Sequence, residues 1–392
     1  MSKKTVGTFI MLALWAPFCA SCIDSFLDIT SVTNRITQII WFVSLFCGIK
    51  LFMQRSYPPI LKSLLLFASL LTVYGGIHLL LGQNISTDTR IVPKTEYLIG
   101  VVNSIYPIFF VYYFSSLGYI TEKHIYQWSF FFIAAVLISY PNSINKIQDF
   151  TDAEQFTNNI GYVILRCVPF LLFWYKKPIV QYLIFIVLGI IIMNTLKRGP
   201  ILIWFILLGV LFSENYKRFK YMPLRQKIFF IASPLIVIAF GIYYFDNYLV
   251  SNEGFMDRLR YTLGGDDSGR VEIYSNILNL YFNESSFTQL LFGHGADATI
   301  KFFSIHAHND WLELLLNQGL IGVVFYIFYY RSFWTQIHCS QDTFGRGLLV
   351  AVAIMSFVTS VFSMSYMAYD TSVHIVFGYA IFRSQISEKI GS

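Results

Sequence analysis

Again and again along its 392 residues, this chain runs for about 20 residues with almost no charge. A run of that length and character crosses roughly 30 Å of bilayer hydrocarbon as a helix. Only a helix or a closed barrel satisfies every backbone group inside lipid, so the pattern fixes the fold class before any motif is read. Twelve such runs are expected as spans: 5–23, 36–53, 60–82, 97–117, 124–140, 158–175, 178–196, 200–213, 226–245, 309–330, 346–363 and 367–383. The expectation is an all-α polytopic membrane protein. Charged residues make up 13% of the chain, whereas soluble domains carry about a quarter. The amino-terminal apolar run, up to Cys22, reads as an uncleaved first helix rather than a signal peptide. The five cysteines lie in or beside apolar runs and read as packing residues. No solenoid or propeller repeat is visible.

Lys and Arg accumulate in short cytoplasmic loops, which gives the expected orientation. With the amino terminus inside, 17 of the 28 basic residues fall on the cytoplasmic side and ten on the other, while Arg166 lies within the sixth span. Four of the ten (Arg258, Arg260, Arg270 and Lys301) sit in one long loop that the rule does not count, so the comparison is 17 against six. Both termini are then cytoplasmic. The net charge of +6 follows from this topology; no basic stripe suited to nucleic acid accompanies it. The chain divides into helices 1–9 over 1–245, an outer loop over 246–308 and helices 10–12 over 309–392. Within the loop, Val271, Tyr274 and Leu278 share a helical face. They mark either an amphipathic helix lying on the membrane or over a cavity, or a simple packing helix. Gly264–Gly269 and Gly293-His294-Gly295 flank it as turns.

Three outer-side features carry polar chemistry, and each has a plainer reading. Lys197-Arg198 at the outer end of two spans is either an interfacial pair or an anion site, because Arg can hold a phosphate with two parallel donors. Arg270, with Arg258 and Arg260 upstream, either pairs with Asp257, Asp266 and Asp267 or serves the same anion. The run His306-Ala307-His308-Asn309-Asp310 enters the tenth span. A histidine at a membrane boundary suits general acid or base work, while Asn309 or Asp310 suits a helix cap. The spacing of His306, His308 and Asp310 matches no common zinc signature, so no metal is assigned. Arg166, as the intramembrane cation, belongs to a cavity or a pair.

These residues resemble the bacterial O-antigen ligases and polysaccharide polymerases, membrane glycosyltransferases of the GT-C kind. In that family a His-Asn pair is followed after nine residues by Gly and, three further on, by another small residue. Here His308-Asn309 is followed by Asp310 to Gln318, then Gly319 and Gly322. Ser268-Gly269-Arg270 and Leu291-Phe292-Gly293-His294-Gly295 fit the family's long outer loop. Lys197-Arg198-Gly199 matches the usual Ser-Arg-Gly only from the arginine onward. The motifs cover roughly residues 190–330 and hydropathy alone covers the rest.

The resemblance implies about twelve helices with one long periplasmic loop, in the bacterial inner membrane, with the active site on the periplasmic face. It also implies a glycan donor on undecaprenyl pyrophosphate and a hydroxyl of an acceptor sugar. In those terms His308 is the expected base and Arg198 and Arg270 hold the pyrophosphate. His306, Arg258, Arg260, Arg166, Asn309 and Asp310 support, no metal or other cofactor takes part, and a chain-length regulator is a further partner. Polymerisation of O-antigen, capsule or exopolysaccharide repeat units is preferred. The alternatives are ligation of the finished chain to lipid A–core and transport without chemistry. A transporter would gather polar sites near the midplane and show related halves; here the distinctive polar residues gather at one face.

Overall fold

The computed structural model describes residues 2–23, 30–53, 58–87, 91–148, 160–195, 197–244, 270–363, 366 and 369–386, with a few single positions between 246 and 256. Each expected apolar run contains helix where described, though the last, expected from 367, is helical only from Thr371. The helices are α1 Lys3–Ile23, α2 Thr30–Phe52, α3 Pro59–Leu81, α4 Glu96–Ile105, α5 Pro107–Ser116, α6 Glu122–Gln148, α7 Ile160–Cys167, α8 Pro178–Asn194, α9 Arg198–Tyr216 and α10 Leu224–Tyr244. Beyond the long loop come α11 Arg270–Asn279, α12 Phe287–Phe292, α13 Ala298–Phe303, α14 Asp310–Cys339, α15 Thr343–Phe362 and α16 Thr371–Arg383. The strands Ile85–Ser86 and Ile91–Val92 pair antiparallel.

Among the described residues, eight segments are long and apolar enough to cross a membrane: α1, α2, α3, α4 with α5, α9, α10, α14 and α15. Ile160–Trp174 and α8 are shorter apolar helices. Of the other expected spans, α6 runs 27 residues, with polar side chains at both ends and Pro141 within it. Helix α16 has 13 residues, fewer than a full crossing needs.

The chain folds as two compact units. One comprises residues 1–37, 118–268 and 350–355, and the other 38–117, 269–349 and 356–392. In the first, α8 and α9 approach closely through Gly189, where an added Cβ would lie 2.1 Å from the Trp204 ring. Trp204 fills that gap. It stacks on Phe185 with centroids 4.7 Å apart, and its Nε1 donates to the Phe185 carbonyl at 3.2 Å. The buried Gln181 donates to the Leu171 carbonyl and accepts from Asn215, so no amide there is left dry and unbonded. In the second unit, α3 packs on α14 with Phe67 stacked against Tyr326 at 5.1 Å, and α5 packs on α16. Asp342 caps α15 through the Gly345 N–H at 2.7 Å and accepts from Arg383 Nε at 2.9 Å. One carboxylate thus joins the start of α15 to the end of α16.

Candidate functional site

The His-Asn motif is built around a short helix with a defined beginning and a defined break. Asn309 is extended (φ −150°), and its side-chain oxygen accepts from the N–H groups of Trp311 and Leu312 at 3.0 and 3.2 Å. Asn309, rather than Asp310, is therefore the cap of α14. After the nine helical residues Asp310 to Gln318, two and a half turns, Gly319 takes φ +66° and the helix breaks. A break leaves carbonyls without their intrahelical partners. The Leu316 and Asn317 carbonyls instead accept from the N–H groups of His294 and Gly295 at 2.8 and 2.9 Å.

Two of the sequence motifs meet here. A Cβ on Gly319 would lie 2.5–2.6 Å from the backbone of Gly293 and Leu291, and one on Gly293 would lie 2.4–2.5 Å from Asn317 and Gly319. The second motif glycine, Gly322, packs against Gln318, whose Cβ would be 2.5 Å from an added Cβ. The spacing of the motif is therefore cap, stub and swivel, with the Gly293-His294-Gly295 turn held against the swivel backbone to backbone.

Ahead of the cap, residues 304–308 form a tight loop between two left-handed residues, Ser304 (φ +61°) and His308 (φ +52°). Non-glycine residues rarely take that conformation and need their surroundings to hold it. Glu313 supplies much of the hold. Its carboxylate is 1% exposed. It accepts from the Ala307 N–H at 2.6 Å, from the Thr299 hydroxyl at 2.5 Å and from Asn317 Nδ2 at 3.3 Å. His306 Nδ1 lies 3.4 Å from the same carboxylate, close enough to pair when the ring is protonated. Ala307 is pinned between the two histidines. His306 is half-buried and His308 is exposed.

Arg270 opens α11, and its Nη1 donates to the Phe362 carbonyl at 3.2 Å. Asn309 Nδ2 donates to the neighbouring Val361 carbonyl at 3.1 Å, and Trp311 Nε1 reaches Ser360 at 3.2 Å. Arginine and motif therefore meet at the carboxyl end of α15, whose last carbonyls carry partial negative charge. Helix α11 lies against the same block: Ile277 forms a buried cluster with Ala298, Ala307 and Leu316, joined by Ile273, Tyr274 and Leu280. The helix packs through Ile273, Tyr274 and Ile277, while Val271 and Leu278, the other two residues of the apolar face picked out in the sequence, are 61% and 38% exposed.

Asp310 is wholly buried and accepts from the Tyr326 hydroxyl at 2.7 Å and the Tyr366 N–H at 3.4 Å. Burial, then Tyr97 and the carboxylates of Asp310, Glu313 and Asp297, hold the Tyr366 phenol protonated well above its usual range. Among the described residues, no group of three His, Cys, Asp or Glu side chains is placed to hold a metal ion. His294 is held at both ring nitrogens. Ser285 gives its own proton to the Leu280 carbonyl and so accepts from His294 Nε2 at 2.7 Å, while Gln289 approaches Nδ1 at 3.3 Å. Burial, aided by Lys301, lowers its pKa.

The first unit holds Arg198, at the start of α9, and Arg166, half-buried in the last turn of α7. Arg258 and Arg260 lie outside the described residues. Sequence reading missed Glu313 and its partners Thr299 and Asn317. The available signal was the pair Glu313 and Asn317, one turn apart in an otherwise leucine-rich stretch.

A multi-pass helical membrane protein with a capped, broken helix presenting His308 is the class these observations define. The sequence model of the O-antigen ligase family matches residues 183–327, a stretch that runs from α8 through Arg198, Arg270 and the whole His-Asn-Gly motif. Over that stretch the resemblance to the O-antigen ligase and polymerase superfamily is borne out. No curated protein matches the chain.

Proposed function

We propose that this protein polymerises O-antigen or other surface-polysaccharide repeat units, taking a glycan from undecaprenyl pyrophosphate to a hydroxyl of an acceptor sugar on the periplasmic face. The observation that carries the reading is the His308 loop: an exposed histidine with a left-handed backbone, next to an Ala307 N–H bonded to the buried Glu313 carboxylate, inside the segment that matches the O-antigen ligase family. The acceptor oxygen forms the new bond at the anomeric carbon as the bond to pyrophosphate breaks. The acceptor proton passes to His308, and the pyrophosphate lipid departs with the bonding electrons. The donor arrives activated, so the site needs a base and positive charge for the leaving group. Arg270 and Arg198 supply that charge as bidentate donors, and no metal is required. His306, Asn309, Asp310, Arg166, Arg258 and Arg260 orient or bind.

Replacing His308 with Ala in a complemented deletion strain should abolish the glycan ladder while the protein remains in the membrane. A near-normal ladder removes His308 as the base. Arg270→Lys keeps a donor for the Phe362 carbonyl but loses the fork, so it should cost transfer while leaving the helix end intact. The family description also supports a second reading, ligation of the finished chain to lipid A–core. The deletion strain separates the two. Single repeat units on core mark a lost polymerase; long chains retained on the carrier lipid, with bare core, mark a lost ligase.

A further inference from the structure

One end of the first unit crowds positive charge around two tyrosine rings. Arg218, just beyond α9, stacks on Tyr175 with its guanidinium carbon 3.8 Å from the ring centroid. Lys176 lies 5.6 Å from the same ring, and Lys177 lies 5.9 Å from Tyr126. The loop from α9 to α10 adds Lys217 and Lys220, and α10 opens with Arg225 and Lys227. Two carboxylates stand nearby and both are engaged: Glu122 accepts from the Tyr175 hydroxyl at 2.9 Å and Glu214 pairs with Lys217. From residue 215 to 245 the sequence contains no Asp or Glu.

The cations at this end outnumber the described carboxylates beside them, so it carries a net positive charge that attracts anions. The side chains flanking the patch are apolar and face outward: Leu224 is 73% and Ile228 61% exposed, and the patch sits where α6, α8 and α10 begin and α9 ends. Charge and grease side by side match a phospholipid, with the phosphate at the cations and the acyl chains along the helices. We propose that this end of the unit is a binding surface for anionic phospholipid headgroups, with Arg218 and Lys176 at its centre. It is independent of the glycosyl-transfer reading and uses none of that site's residues.

The test uses the purified full-length protein in mixed micelles of equimolar phosphatidylglycerol and phosphatidylcholine, with retained lipids counted by native mass spectrometry. Wild type should retain phosphatidylglycerol preferentially. The variant K176Q/K177Q/R218Q/K220Q should lose at least about tenfold of that preference, since each basic residue near an anionic surface contributes roughly a fivefold effect. Equal retention of the two lipids by wild type overturns the proposal, as does a variant that folds normally and keeps the full preference. If the variant does not fold, wild type decides by salt. The preference should collapse between about 0.1 and 1 M NaCl, where screening shortens from roughly 10 to 3 Å, and a preference that persists is contrary to the proposal. Displacement of the lipid by millimolar inorganic phosphate would show a free-anion site instead.

Discussion

The block from Ala298 to Gly322 and the stretch from Lys217 to Lys227 both depart from the apolar pattern of the chain, but they use charge in opposite ways. In the first, carboxylates are buried and each oxygen of Glu313 has a named donor. In the second, cations stand at the surface against aromatic rings. A buried, fully bonded charge fixes geometry, and its removal leaves several donors dry. Exposed charges act as a sum, and the loss of one is small.

The sharpest way to break the comparison is Glu313→Ala. It strands the Ala307 N–H, the Thr299 hydroxyl and the Asn317 amide, and should cost on the order of 3 kcal/mol, read as a large drop in melting temperature in detergent. A melting point within a degree or two of wild type would mean the carboxylate does not organise the loop. Next in size is Gly319→Ala. The left-handed φ and the 2.6 Å approach to Leu291 both oppose a Cβ, and about 2 kcal/mol is expected; faster hydrogen exchange at the His294 and Gly295 amides, which bond the Leu316 and Asn317 carbonyls, would report the local loss.

A smaller effect is expected from pH at His294. Its folded pKa is lowered, so the unfolded state binds the proton more readily. The neutral ring's contribution is complete above the unfolded value near 6.5 and is lost as pH falls below it. Stability should decline below about pH 6.5 in wild type and less steeply in His294→Gln; parallel profiles would clear His294 of this role. At the other end of the scale, Lys220→Gln should move stability by no more than about 0.5 kcal/mol, and a larger shift would show that the basic end is not built from interchangeable charges.

Much of this was legible in the sequence because it is periodic or local. The apolar runs gave the helices, and Asn309 announced its cap by preceding an apolar stretch. The Gly319 break was visible only as a motif, since its cause is a contact with Gly293, 26 residues earlier, that no spacing reveals. Glu313 was hidden for a related reason: a carboxylate among leucines looks like a tolerated polar residue until the loop it holds is seen. Which side of α11 packs was not legible because, in a helix of ten residues, apolar side chains fall on more than one side, and only the packed neighbours choose between them. Helix α16 was expected as a full span over 367–383. The described helix begins only at Thr371, behind the Asp370 cap.

Arg270 and Asn309 bond consecutive carbonyls at the end of α15. The spacing between an arginine on one segment and the histidine-bearing turn on another is thus inherited from the peptide repeat of a third element, about 3.8 Å from one residue to the next. The connecting stretches are free to vary in length and composition without altering it. Conversely, unwinding the last turn of α15 would shift both attachments together, so the helix end acts as a gauge block for the two.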